Sequence, residues 1–114
     1  MGKNLKLKKL NWESWDLDGC IADTSLGNYD LTQTKPIISN AKMCRKAHRN
    51  GRKIIIFTAR HWDEYPIIEW WLKKHRIPFK MIVCGKILTR VYVDDRAVNP
   101  FCSGCKERYE RKRD

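Results

Sequence analysis

The chain is poor in acid and in the segments that lipid or secretion would require. Thirteen aspartates and glutamates face twenty-four lysines and arginines, a net charge of +11 over 114 residues. No apolar run is long enough to span a bilayer, so no membrane role is expected. The first ten residues are basic but lack the apolar stretch of a secretory signal. The five cysteines are odd in number and irregularly spaced, which fits a reduced, cytoplasmic protein better than a disulfide framework. No internal repeat or low-complexity segment occurs. The length holds one domain with a single core.

What is present is 42% hydrophobic residues with five tryptophans, enough to pack that core. The positive charge concentrates in residues 3–9, 42–53 and 106–113. Such a field attracts phosphates, on nucleic acid or on small anionic substrates; a solvated surface is the bland reading.

Asp16-Leu17-Asp18-Gly19 carries the sharpest chemical signal. On an extended strand end, residues i and i+2 point the same way, so both carboxylates project together. Two like charges so close repel unless a cation or a proton intervenes. The pattern points to a divalent metal, an acid/base pair, or both, although calcium loops and turns use the same letters.

Helix and strand patterns alternate along the chain. Residues 10–15 read as a strand leading into the carboxylates, although Asn11, Glu13 and Ser14 interrupt its apolar character. A buried Glu13 needs a partner or a proton. Residues 20–35 read as a long loop or flap. Pro36 opens a helix with Ile37, Ile38, Ala41, Cys44 and His48 on one face, stopped by Asn50-Gly51. Residues 53–58 form an apolar run typical of a strand buried on both faces. Residues 63–75 give a second helix with Ile67, Ile68, Trp71 and Leu72 inward, and residues 79–84 and 90–94 supply two more strands. Strands separated by helices imply parallel βαβ units, an α/β class. In such sheets ligands bind beyond the carboxyl ends of the strands, where Asp16, Asp18, Thr58, Lys86, Asp94 and Asp95 all fall.

The ordered set Asp16-Leu17-Asp18-Gly19, Ile55-Ile56-Phe57-Thr58, Lys86 and Val93-Asp94-Asp95 resembles the four motifs of the haloacid dehalogenase superfamily of phosphohydrolases. Lys35-Pro36-Ile37, Phe57-Thr58-Ala59-Arg60, Cys84-Gly85-Lys86 and Tyr92-Val93-Asp94-Asp95-Arg96-Ala97 are similar to a small subgroup, the capsular polysaccharide biosynthesis phosphatases. The Asp-Asp-Arg ending is also similar to the phosphatase half of polynucleotide kinases. The resemblance covers residues 10–100, between a basic extension at 1–9 and a basic tail at 101–114. It implies a Rossmann-like three-layer α/β/α domain with a mostly parallel sheet, and a magnesium-dependent phosphatase.

The roles implied are these. Asp16 attacks phosphorus to form an aspartyl-phosphate, and Asp18 protonates the leaving oxygen and then activates water. Magnesium is held by Asp16, the Asp18 carbonyl and Asp94, with Asp95 holding a metal-bound water or the lysine. Thr58 and Lys86 bind and neutralise the phosphoryl oxygens. Taken singly, Thr58 is a strand-end threonine, Lys86 a surface lysine and Asp94-Asp95 a turn; the ordered set is what points to chemistry. Position 20, usually threonine in the family, is Cys20.

Forty positions separate Asp18 from Thr58 and twenty-eight separate Thr58 from Lys86. Neither gap leaves room for a cap domain. An open site admits a small phosphorylated metabolite, such as a sugar phosphate or nucleotide, covered by the flap or by a second copy in an oligomer. It also admits a nucleic-acid 3′-phosphate end, and a non-catalytic basic nucleic-acid-binding module stands as a further alternative. Arg60, His61 and Arg96 lie near the motifs, with Arg60 and Arg96 as candidate substrate contacts or structural ion pairs. Cys102-Ser103-Gly104-Cys105 is half of a zinc ribbon site without its second half, so a free thiol pair is favoured.

Overall fold

The computed structural model describes residues 11–111, so the basic extension at 1–9 lies outside the described residues. Three strands form one parallel sheet in the order β1 (Trp12–Trp15), β2 (Lys53–Phe57), β3 (Met81–Val83). Helix α1 (Ile38–Arg49) connects β1 to β2. A 3-10 turn (Trp62–Glu64) and helix α2 (Tyr65–Lys74) connect β2 to β3, and α3 (Ser103–Arg111) follows. The α/β class and the parallel sheet match expectation.

Register explains which side of the sheet is covered. Glu13 pairs with Ile54, Trp15 with Ile56, and Ile56 with Ile82, so these five share one face. All but Glu13 are buried, in a core with Ala41, Cys44 and Ala47 of α1 and Ile68, Trp71 and Leu72 of α2. The opposite face carries Trp12, Ser14, Ile55, Phe57, Met81 and Val83, none of them buried. The expectation that β2 is buried on both faces therefore holds for one face only.

Other expectations shift in register. The inward face of α1 is Asn40, Ala41, Cys44 and Ala47, whereas Ile38 and His48 are exposed. Ala47 lies three residues from Cys44 and takes the inward position expected of His48. Pro36 stands before the helix, bridged to Ala22, rather than opening it. Residues 90–94 form no strand: they lie in an exposed segment, with Val93 94% exposed. β1 is thus an edge strand of the described sheet.

The flap is more packed than its polar composition suggests. Ile21, Ala22, Thr24, Leu31 and Thr34 are buried, and the Trp71 indole N–H donates to the Thr34 carbonyl at 2.9 Å. Arg45 of α1 donates to the His75 and Arg76 carbonyls at 2.8 and 3.1 Å, satisfying acceptors that the end of α2 leaves open.

Glu13 is half-buried and has the partners that a partly desolvated carboxylate requires. Its carboxylate accepts from the Trp15 indole at 3.1 Å and the Tyr109 hydroxyl at 2.9 Å, and Arg52 lies 3.7 Å away. Burial and the Glu13 charge both push the Tyr109 phenol up from its ordinary value. Tyr109→Phe removes one of these bonds while Trp15 and Arg52 remain. We expect a loss of about 1 kcal/mol, which lowers the melting temperature by roughly 4–8 °C in a domain of this size. An unchanged melting curve in thermal denaturation would mean that α3 is not anchored through Glu13.

Candidate active site

The site lies beyond the carboxyl ends of β1 and β2. β1 ends at Trp15, and the next four residues turn sharply. The Ile21 and Ala22 N–H groups both donate to the Leu17 carbonyl at 2.9 Å, and Gly19 takes a φ of 75° that a side chain would strain. Leu17 is completely buried, which leaves Asp16 and Asp18 half-exposed on either side of it. Asn40, buried on α1, donates its amide to the Cys20 carbonyl at 2.7 Å and braces this turn from below. Nothing in the motif signalled Asn40; its polar type at an inward helical position was the available clue.

Each carboxylate has its own cation. The Lys86 ammonium stands 3.9 Å from Asp16 Oδ1, an oxygen that also accepts the Leu17 N–H at 2.9 Å. Arg60 grips Asp18 with both arms, Nε to Oδ2 at 2.8 Å and an Nη to Oδ1 at 2.7 Å. The same guanidinium donates to Glu64 at 2.8 Å and to the Tyr29 carbonyl of the flap at 2.8 Å. Pairing with Asp18 raises the Arg60 pKa above its usual range. Arg60, expected as a substrate contact, is thus committed to Asp18, Glu64 and the flap.

Thr58 is fully buried at the end of β2. Its N–H donates to the Val83 carbonyl and its carbonyl accepts the Lys86 N–H, both at 2.9 Å, while its hydroxyl accepts the Arg60 N–H at 3.1 Å. Gly85, at φ 81°, donates to the Arg60 carbonyl at 2.9 Å. These bonds carry Lys86 back over the sheet end towards Asp16. Its ammonium also lies 5.4 Å from the Phe57 ring and 4.6 Å from the Tyr92 ring.

Asp16, Asp18, Thr58, Lys86 and Arg60 therefore gather at one sheet edge, and Asp94, Asp95 and Arg96 do not join them. Asp94 and Asp95 are exposed; Asp94 accepts the Arg96 N–H at 2.9 Å and Asp95 lies 3.9 Å from the Arg96 guanidinium. Among the described residues no three His, Cys, Asp or Glu side chains converge as metal ligands. Cys102 immediately precedes α3 and Cys105 lies in its first turn, the Cys105 N–H 3.5 Å from the Cys102 sulfur, and hydrogen bonding from Cys105 lowers the Cys102 pKa.

No family model and no curated protein matches the chain. Solved structures do. A Vibrio cholerae protein determined as a structural-genomics target superposes with a TM-score of 0.71 at 27% identity, over 91% of this chain and 100% of that one. The α/β fold is shared. The structure of the Pnkp1/Rnl/Hen1 complex contains a chain that matches with a TM-score of 0.58 at 22% identity. That match covers 75% of this chain and 31% of the other, so this chain spans about a third of its length. Among the described residues no helix is long and apolar enough to cross a membrane.

Burial is the largest influence on Asp16 and raises its pKa against the opposing pull of Lys86. A carboxyl whose folded pKa exceeds its unfolded value holds its proton more tightly when folded. Ionising it therefore costs the fold, and stability falls as pH rises through the carboxylate range. Asp16→Asn keeps an oxygen for the Leu17 N–H and removes the titration. In chemical denaturation the variant should be more stable than the parent at pH 7, with the difference shrinking below about pH 4. A variant less stable at pH 7, or a gain that does not change with pH, contradicts this account.

Proposed function

We propose that this chain is a magnesium-dependent phosphomonoesterase of the haloacid dehalogenase type, acting on a small phosphorylated metabolite such as a sugar phosphate or nucleotide. The observation that carries the reading is the pairing of Asp16 with Lys86 at the parallel sheet edge, with buried Thr58 fixing the lysine's path. The ordered motif resemblance supports it. The fold shared with the Vibrio cholerae protein is consistent with it.

In this reading the Asp16 oxygen attacks phosphorus, a phosphorus–oxygen ester bond breaks, and the leaving alkoxide takes a proton from Asp18. Water then attacks the aspartyl-phosphate, gives its proton back to Asp18, and releases inorganic phosphate and free Asp16. Lys86 offsets the charge of Asp16 and the phosphoryl oxygens together, so it holds the nucleophile beside an anionic substrate that would otherwise repel it. Asp18 must leave Arg60 before it can carry a proton. A guanidinium freed in this way is positioned to take a substrate oxygen, which restores Arg60 as a substrate contact in the loaded enzyme.

Magnesium would be held by one or two carboxylates of the chain together with oxygens of the phosphorylated substrate. Asp16 and the Asp18 backbone carbonyl would supply two of the protein's ligands, with Asp94 as the second carboxylate that the motif resemblance implies. The ion's contribution is charge neutralisation on the phosphoryl group. Asp94 and Asp95, the further ligands that the motif resemblance names, would have to reach the ion from the exposed 87–96 segment, whose Tyr92 ring stands beside the Lys86 ammonium.

A colorimetric screen of phosphomonoesters, with and without magnesium, tests the reading directly. Asp16→Asn abolishes phosphate release, because an amide cannot form the acyl-phosphate. Retained turnover in the purified variant would sink the mechanism.

Titration calorimetry in the presence of a phosphate mimic addresses the ligands. Asp94→Ala should weaken magnesium affinity by roughly tenfold or more and Asp95→Ala by less, as the loss of a carboxylate from an oxygen-ligand shell predicts. Unchanged affinity in Asp94→Ala means that the 87–96 segment does not supply the metal site.

A further inference from the structure

The fold brings together two basic segments that the sequence keeps more than fifty residues apart. α1 and α3 flank a groove of about 470 Å³ lined by Lys42, Arg45, Lys46 and Arg49 from α1 and Lys106 from α3. Glu110 is the one acid on its rim among the described lining residues. None of the acid-site residues lines it, so the groove is a separate feature of the surface.

The cations are arranged rather than merely numerous. Positions 42, 45, 46 and 49 follow the i, i+3, i+4, i+7 spacing of one helical stripe, which sets successive turns about 5.4 Å apart. Lys42, Lys46 and Arg49 are exposed, so their charges face solvent. Arg45 differs: its guanidinium is spent on the His75 and Arg76 carbonyls, which makes it a fixed wall of the groove. Lys106 is half-buried and closes the opposite side.

We propose that this groove binds the sugar-phosphate backbone of a nucleic acid without reading its sequence. A stripe of regularly spaced cations matches a partner whose negative charge repeats along a line, and binding releases the counterions condensed on that partner. No aromatic side chain is among the described residues that line the groove, which argues against base stacking and for the phosphates as the ligand. An anionic membrane fits less well, because helices that lie on bilayers insert large apolar side chains beside their cations. Among the described lining residues the one apolar side chain is Met43, half-buried and packed against the core. This inference does not depend on the phosphatase reading, since a bound backbone need not reach Asp16.

The test is fluorescence anisotropy of a labelled random-sequence single-stranded 20-nucleotide oligonucleotide with the full chain. Lys42→Gln, Lys46→Gln, Arg49→Gln and Lys106→Gln are combined in one variant; glutamine preserves helix propensity and Arg45 is left in place. A control variant carries Lys35→Gln, Lys73→Gln, Lys74→Gln and Lys80→Gln, the same loss of charge elsewhere. At about 0.15 M salt the groove variant should bind roughly tenfold or more weakly than the parent, and the slope of log affinity against log salt should become shallower by about 3. The control should stay near the parent. Circular dichroism melts confirm that each variant is folded, and hydrolysis of small phosphomonoesters should be unchanged in the groove variant, which separates failure here from failure of the enzyme reading. Equal weakening in both variants, no binding at that salt, or stronger binding to phosphatidylserine vesicles or polyglutamate than to the oligonucleotide overturns the proposal.

Discussion

Thr58 donates its backbone N–H to Val83 and accepts the N–H of Lys86, so the exits of β2 and β3 are locked to one another by two bonds of 2.9 Å. The consequences spread in both directions. Lys86 cannot drift from the sheet edge, because its own backbone is one of the partners, and its ammonium is held within reach of Asp16. Arg60 is fixed from the other side, since its N–H donates to the Thr58 hydroxyl and its carbonyl accepts from Gly85. A fully buried threonine thus places both cations that face the two carboxylates. Its hydroxyl tolerates burial because it has a partner, as buried polar groups must.

With those cations in place, the Asp16/Asp18 pair ceases to be an electrostatic liability. Leu17 anchors the turn in the core, and the two carboxylates diverge towards different partners, one to an ammonium at 3.9 Å and one to a bidentate guanidinium at 2.7 and 2.8 Å. The difference in geometry matters chemically. A loose ammonium leaves the Asp16 oxygens open to an incoming group, whereas the fork of Arg60 occupies both oxygens of Asp18 and gives the tighter, charge-assisted pair. Asp16 is therefore the more accessible of the two carboxylates to an incoming group. Asp18 is coupled through Arg60 to the Tyr29 carbonyl, and so to the flap.

Much of this was legible in the residues, and the parts that were not share a cause. The βαβ alternation, the strand end at Thr58 and the convergence of Asp16, Asp18 and Lys86 follow from local periodicity and from the rule that parallel sheets display chemistry at their carboxyl ends. Arg60 was singled out, but whether it faced substrate or a carboxylate depended on a contact forty-two positions away. Residues 90–94 have the composition of a strand and form none, because strand formation needs a neighbouring edge and composition does not supply one. Ala47 rather than His48 on the inner face of α1 is a shift of one position, about 100° of helix, which an apolar-looking pattern with a histidine at its end cannot resolve. Asn40 escaped notice because a polar residue on an inward face reads as a break in the pattern until its acceptor, the Cys20 carbonyl, is seen.

The polar first strand is the most instructive of these. An interior strand with Asn11, Glu13 and Ser14 would place uncompensated polar groups in the core. As an edge strand β1 exposes Asn11 and Ser14 and turns only Glu13 towards the covered face. There the carboxylate accepts from Trp15 on its own strand and from Tyr109 on α3, with Arg52 near its second oxygen. The residue that weakens β1 as a sheet strand is thus the one that fastens α3 to it. Lys106 lies three positions before Tyr109 on the same face of α3, so the bond that anchors the helix also sets Lys106 opposite the cationic stripe of α1. The wall that completes the basic groove is thus tied to the strand that leads into Asp16 through one half-buried carboxylate.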